Sequence, residues 1–210
     1  MVHGQIQWRN RCYSNLSTGL GRFIDRSIYA AVIRPDNITG NNQVIIEVRF
    51  ARVLTIEQVE MVVKIANLIW TEHYTPILGK AQVEYMLSNF HSIATIKSEV
   101  DNKSIHYYLL YRAEKVVGYA AIKIEQSQIF LSKIYILSSE RGCGIGKETI
   151  ELVKEIAINK GLGKVHLTVN KENKNTISAY QKIGFNITGE VCADIGEGYL
   201  MDDYEMELVL

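Results

Sequence analysis

The chain has 210 residues, 47% of them hydrophobic, which is enough for one domain with a sizeable core and short for two. Lysine plus arginine and aspartate plus glutamate each total 23, so the net charge of zero argues against a nucleic-acid partner or an anionic membrane surface. We find neither the roughly 20 apolar residues of a membrane-spanning helix nor the apolar block of a secretory signal. Three scattered cysteines without metal-ligand spacing lead us to expect a cytoplasmic protein with reduced thiols and no metal.

Residues 1–46 differ in composition from the rest of the chain. The first glutamate is Glu47 and the first lysine is Lys64, whereas five arginines and two aspartates come earlier. Turn-forming residues interrupt the segment, and no hydrophobic periodicity joins its parts. We therefore treat residues 1–46 as an unassigned, poorly ordered extension, either a targeting segment or an over-long start. The single domain is expected in residues 47–210.

From residue 44 onwards the pattern is regular. A strand over 44–53 precedes a helix from its N-cap Thr55 to Trp70 and two shorter helices over 82–89 and 93–97. Strands over 106–112, 116–125 and 128–137 form a meander. A glycine-rich turn then leads into a helix to residue 160, a strand over 165–169, a helix over 175–182 and a closing hairpin. This order is that of an α/β protein.

The glycine-rich turn joins the strand over 128–137 to the next helix. Backbone N–H groups converge at such a turn and the helix dipole adds about half a positive charge, so a phosphate group fits there. A P-loop would need glycine in place of Arg141 and serine or threonine in place of Glu148. A dinucleotide fingerprint would end on Lys147 or Thr149 instead of glycine. Taken alone, the turn also fits a tight connection that binds nothing.

The spacing Arg141-x-x-Gly144-x-Gly146 resembles the pyrophosphate-binding signature of the GNAT superfamily of acetyltransferases. The similarity extends over residues 47–210 and includes the Ile-Tyr-Ile strand before the loop. It implies a GNAT-like fold, a central twisted mixed sheet of six to seven strands flanked by helices, with acetyl-CoA as the cosubstrate. The strand is expected to hold the pantetheine arm and the loop to wrap the pyrophosphate. The cofactor-binding positions that it implies are Ile134, Tyr135, Ile136, Arg141, Gly142, Cys143, Gly144, Ile145, Gly146 and Lys147, with Asn173, Asn175 and Lys182.

Tyr180 belongs to a second block, residues 173–185, which resembles the family motif Asn-x-x-Ala-x-x-Phe-Tyr-x-x-x-Gly-Phe. Thr176 and Ala179 replace the commoner alanine and phenylalanine. From the residues alone, the pattern favours Tyr180 as a core residue on one helix face with Ile177 and Ile183. The resemblance implies that Tyr180 lies near the cofactor sulfur, where a phenol of ordinary pKa ~10 is suited to protonate the departing thiolate.

The general base and the acceptor are not fixed by the sequence. Glu72, His73, Asp202 and Asp203 are candidate bases, although each also fits a surface role. Seven acids and no basic residue follow Lys182, so the closing hairpin is negative. Together with aromatic faces on the first helices, it is expected to receive a cation such as a polyamine, unless its acids only solvate an edge hairpin. The predicted substrate-binding residues are Trp70, His73, Tyr74, Tyr85, Asp202 and Asp203.

The sequence therefore predicts an N-acetyltransferase that transfers acetyl directly from acetyl-CoA to a primary amine of a small molecule. A homodimer is in keeping with the resemblance. The alternatives are a regulatory module that binds acyl-CoA without catalysis and a peptide or protein N-acetyltransferase. An acyl-enzyme route through Cys143 is disfavoured because no histidine base is linked to it. His166 is expected to be structural.

Overall fold

The computed structural model describes residues 48–210 and a two-residue strand, β1, Ala30–Ala31. Residues 1–29 and 32–47 lie outside the described residues, and with them most of the predicted extension and the start of the predicted first strand. β1 pairs in antiparallel fashion with β2, Val48–Arg52. Two residues of the predicted extension are thus part of the sheet.

The first helix, α1, spans Ile56–His73 and begins with a capping box. The Thr55 hydroxyl accepts a hydrogen bond from the Gln58 backbone N–H, and the Gln58 side chain accepts one from the Thr55 N–H. The predicted N-cap is confirmed, and the helix continues three residues beyond its predicted end. Three helices follow, of which the first was not predicted: α2 (Thr75–Leu78), α3 (Lys80–Phe90) and α4 (Ile93–Asp101).

The strands join into one mixed sheet. Beyond β1 and β2 its members are β3 (His106–Arg112), β4 (Lys115–Ile124), β5 (Gln128–Ile136), β6 (Lys164–Asn170), β7 (Asn186–Gly196) and β8 (Tyr199–Val209). Their order is β1-β2-β3-β4-β5-β6-β8-β7. β5 and β6 are parallel, and the other neighbouring pairs are antiparallel. The predicted mixed sheet is confirmed, with seven strands of five residues or more besides β1.

Helices cover both faces of the sheet. On one face α1, α3 and α4 bury a cluster that includes Trp70 and Tyr107. On the other face α5 (Ile145–Asn159) and α6 (Lys174–Ile183) pack against β5, β6 and β8. None of the described helices is long and apolar enough to cross a membrane. The candidate site lies between these two layers of helices, where the parallel strands β5 and β6 stop pairing.

α1 buries more than one line of apolar residues. Val59, Val62, Ala66 and Ile69 are buried, whereas Ile56 is 40% exposed. α1 contacts α2, α3 and α4 as well as β4 and β5, so it buries a wider surface than a single stripe. The sequence pattern cannot show how many neighbours a helix has.

Candidate active site

The parallel strands β5 and β6 separate part of the way along their length. Their ladder ends at the pair Phe130 and His166, yet β5 continues to Ile136. Against β4, Ala121 is opposite Lys133 and Ile122 is opposite Leu131, so Ser132 is an extra residue in β5. Such a β-bulge bends a strand. The bend leaves a gap between β5 and β6. Along this gap, the backbone N–H and C=O groups of residues 131–136 in β5 have no partner strand.

The predicted cofactor-binding loop follows β5 and begins α5. Gly142 and Gly144 have φ values of 76° and 83°, in the left-handed region that favours glycine, and a Cβ on either residue would meet no atom of residues 48–210. Gly144 is the N-cap of α5 and, as a glycine, has no side chain with which to cap the helix. The first N–H groups of α5 have no intrahelical acceptor, so they are available to an anion. Cys143 lies in this loop and Lys147 in the first turn of α5, and the Ile145 side chain is buried beneath the loop.

The Glu140 side chain, which is not among the predicted site residues, fixes the start of this loop. Glu140 accepts a hydrogen bond from Arg112 Nη1 at 2.9 Å and one from Lys115 Nζ at 3.3 Å. These cations hold the pKa of Glu140 below its ordinary value. Both come from the hairpin of β3 and β4, far away in the sequence, so no local pattern could have indicated the contact.

Arg141, the first residue of the predicted signature, connects β5 to α1. Its Nε donates to the backbone carbonyl of Ile136 at 3.0 Å, and its Nη1 lies 3.3 Å from Nδ1 of His73. Because a guanidinium can only donate, His73 accepts through Nδ1 and is neutral. Burial and the charge of Arg141 both lower the pKa of His73, while Asn173 opposes them.

Tyr74 lies at the centre of the predicted site. It is 9% exposed, and its ring stacks on Trp70 with centroids 4.4 Å apart. Burial raises the pKa of its phenol, and interactions with the Tyr135 phenol and the Asn173 amide lower it. Asn173 is the N-cap of α6 but makes no side-chain capping bond, because its buried amide faces this group instead. The Asn173 side chain therefore interacts with this group of residues rather than with the start of α6.

Tyr180 projects from α6 into the layer between that helix and the sheet. Its side chain is 8% exposed, and its ring lies 5.4 Å from that of Phe185. Burial, and to a smaller extent the nearby Tyr74, raises the pKa of the phenol, so Tyr180 is protonated at neutral pH and can donate. Asn175 and Lys182 are on the exposed surface of the same helix.

One of the predicted aromatic contacts for a cation is corrected. Trp70 is 2% exposed and lies beneath Tyr74, so its ring offers no open face. The Tyr85 phenol donates to the carbonyl of Ile195, and its ring lies 5.2 Å from Tyr199, which ties α3 to the closing hairpin. Contact of the half-buried Tyr85 ring with a cation stays a prediction.

The two adjacent aspartates have different surroundings. Asp202 forms an ion pair with Lys171 at 2.6 Å, and Lys171 also contacts Glu190 at 2.7 Å. Asp203 is 8% exposed, and burial raises its pKa while hydrogen bonds from Thr168 and Asn170 oppose the shift. The hairpin is thus less negative than its composition suggested, because lysines outside it neutralise part of its charge.

The remaining candidates lie outside this group. Glu72 is exposed and lines a shallow depression on α1 with Lys64 and Thr71. Nε2 of His166 lies 3.2 Å from Oε2 of Glu125, and this contact fits the structural role expected for His166. Sequence reasoning also missed His91, which is 2% exposed and packs against Trp70 with centroids 4.9 Å apart.

The mixed sheet with its parted strands and the helices on both of its faces define an acyltransferase-type fold. The model of the acetyltransferase (GNAT) family matches residues 62–185, more than half of the chain. The chain belongs to this family.

Three relatives illustrate the similarity. A thialysine N-epsilon-acetyltransferase of Mus musculus is 33% identical over 97 residues, 44% of this chain and 54% of the relative. A spermidine N(1)-acetyltransferase of Thermoplasma acidophilum is 24% identical over 140 residues, which are 65% of this chain and 87% of the relative. The solved structure of PaiA N-acetyltransferase from Thermoplasma acidophilum, in complex with coenzyme A, has a TM-score of 0.64 at 22% identity and covers 77% of this chain and 99% of that one. This chain spans only 34% and 54% of the first curated relatives that it matches.

Proposed function

We propose that this protein is an N-acetyltransferase that moves the acetyl group of acetyl-CoA to a primary amine of a small cationic molecule such as a polyamine. The observation that carries the proposal is the gap between β5 and β6 with the glycine loop at its end. The gap exposes unpaired strand backbone, and the loop supplies N–H groups and a helix dipole for phosphates. A long, thin ligand with a pyrophosphate at one end suits both features.

The chain's own residues suit the acyl-transfer step. Gly142 and Gly144 leave open space above the loop, so the backbone can approach a pyrophosphate closely. A backbone N–H of residues 134–136 is placed to polarise the acetyl carbonyl from the edge of the gap. Tyr180, kept protonated by burial, is suited to protonate the departing sulfur. Direct transfer needs no nucleophile from the chain.

The preference for a cationic amine rests on charge and on kinship. The closing hairpin carries seven acids, of which Asp203 faces inward near Tyr74. Two curated relatives are named for thialysine and spermidine, both cationic amines. A peptide amine and a purely regulatory acyl-CoA-binding role remain the competing proposals. A homodimer in the cytoplasm is also proposed, and sedimentation of the purified chain would test its oligomeric state.

The experiment is a thiol-release assay with acetyl-CoA and a panel of spermidine, spermine, lysine, an aminoglycoside and a peptide. We expect turnover of the polyamines, with a KM that rises as salt screens the acidic site. Preferred turnover of the peptide would favour the protein-directed alternative. Binding of acetyl-CoA, seen as a raised melting temperature, without turnover of any amine would favour the regulatory alternative.

A further inference from the structure

Asp203 has a carboxylate oxygen that the described part of the chain leaves unsatisfied. The residue lies on β8 opposite Asn170, the last residue of β6. Its Oδ1 atom is buried and has no hydrogen-bond partner among residues 48–210, although the side chain interacts with Thr168 and Asn170. Buried polar atoms are normally paired, so this one is suited to a ligand that donates a hydrogen bond.

No described cation neutralises this carboxylate directly. Lys171, the lysine whose charge acts on Asp203, forms its ion pairs with Asp202 and Glu190 instead. A buried carboxylate without an ion-pair partner is costly, and the charge of Asp202 next to it adds to the cost. A ligand cation would remove that cost, which a neutral ligand cannot do.

The position of Asp203 connects it to the transfer site. It lies opposite the carboxyl end of β6, and β6 separates it from the edge where this strand parts from β5. Tyr74 lies within electrostatic range of both Asp203 and Tyr180. Asn173, three residues after Asn170, contacts Tyr74 with its amide. The electrostatic interactions of Asp203 and of the candidate proton donor therefore meet at one phenol.

We propose that Asp203 is the catalytic residue that binds the acceptor's ammonium group through Oδ1 and removes its proton. This inference rests on the proposed acetyltransferase function and extends it to a named base. The charged and titratable groups that face Asp203 are Asp202, Lys171 and Tyr74. Burial raises the pKa of Asp203, which makes its carboxylate a better proton acceptor than an exposed aspartate.

The proposed step balances in atoms and charge. One N–H proton of the acceptor's ammonium group passes to Asp203, which leaves a neutral amine. The nitrogen then bonds to the acetyl carbon, the carbon–sulfur bond breaks, and Tyr180 gives its phenol proton to the sulfur. A second proton leaves the nitrogen and restores the Tyr180 phenol, while Asp203 releases its proton to solvent. The products are the N-acetyl amine, the coenzyme A thiol and one proton.

The test compares Asp203→Asn with Glu205→Gln, which neutralises an exposed acid on the same strand. With spermidine at pH 7.5, we expect Asp203→Asn to lower kcat/KM by roughly 10²-fold or more and Glu205→Gln by less than about twofold. The loss in Asp203→Asn should shrink as the pH rises, because more of the amine is already neutral in solution. A purely structural role would not give this pH-dependent recovery.

A wild-type measurement protects the test against misfolding of the variant. Spermidine added to the protein with coenzyme A should shift the ¹³C carboxyl resonance of Asp203, and acetyl-CoA should still raise the melting temperature of Asp203→Asn. An unshifted resonance, or equal activity of the two variants, would overturn the role of Asp203 while leaving acetyl transfer intact. A wild-type protein that acetylates no amine would overturn the proposed function and this inference together.

Discussion

Nη1 of Arg141 lies 3.3 Å from Nδ1 of His73, a residue 68 positions earlier in the chain. Nε of the same side chain donates a hydrogen bond to the carbonyl of Ile136 at the end of β5. The first residue of the phosphate-binding signature thus fixes the end of α1 against the edge of the gap. Arg141 also keeps a positive charge next to an imidazole, which disfavours the protonated form of His73.

Replacing Arg141 with Gln should raise the pKa of His73 towards its ordinary value of 6.5. The rise should be partial, because burial is the larger cause of the depressed pKa and stays in place. An NMR titration of the His73 ring measures the effect. Lys147→Gln removes an exposed cation from the adjacent first turn of α5 and serves as the control. An unchanged His73 titration in Arg141→Gln would show that the guanidinium does not act on this imidazole.

Replacing Gly144 with Val should abolish the rise in melting temperature on addition of acetyl-CoA. A φ of 83° is unfavourable for any side chain and most of all for a β-branched one, so the loop must change shape. Gly163→Ala is the matched control, because that glycine has no positive φ and a Cβ there meets no atom of the described part of the chain. A full thermal shift in Gly144→Val would mean that the loop geometry does not serve the cofactor.

Replacing Tyr180 with Phe keeps the ring against Phe185 but removes the phenol proton. We expect kcat to fall by about 10²-fold or more while the affinity for acetyl-CoA stays within about twofold. Tyr111→Phe makes the same chemical change on β3, beneath the guanidinium of Arg49, and should leave kcat unchanged. Wild-type activity in Tyr180→Phe would assign protonation of the thiolate to another group.

The stability of the protein should decrease between pH 7 and pH 5 because of His91. Its Nδ1 donates to the Met86 carbonyl, and its buried Nε2 has no partner in residues 48–210. Burial and the charge of Lys133 lower its pKa to about 3. The unfolded chain, with an ordinary value near 6.5, then binds more protons than the folded one, so stability is lost as the pH falls. The expected loss by pH 5 is about 2 kcal/mol.

Urea unfolding at both pH values measures this loss, and His91→Asn should reduce it. His73 and His106 also have lowered pKa values, so some pH dependence in the same direction should remain. The His91 resonances in the wild-type protein should show no titration above pH 5. A midpoint near 6.5 for His91 would contradict the buried, neutral state on which the prediction depends.

The sequence by itself determined the features that depend on neighbouring residues. Thr55 and Gln58 are three residues apart, which is the spacing of a capping box. Gly144 and Gly146 follow a strand and open a helix, so a local pattern was enough to locate the loop. Helical periodicity placed Tyr180 on the inner face of α6, although it could not distinguish a core tyrosine from a proton donor.

Tertiary structure decided which residues face the site, because burial and ion pairing depend on elements far apart in the chain. Asp202 and Asp203 are adjacent and alike in sequence, but Lys171 pairs with the first and the end of β6 covers the second. Packing placed Trp70 under Tyr74 and tied Tyr85 to the hairpin. The gap between β5 and β6 depends on an extra residue in one ladder, which becomes visible only when β4 and β5 are paired.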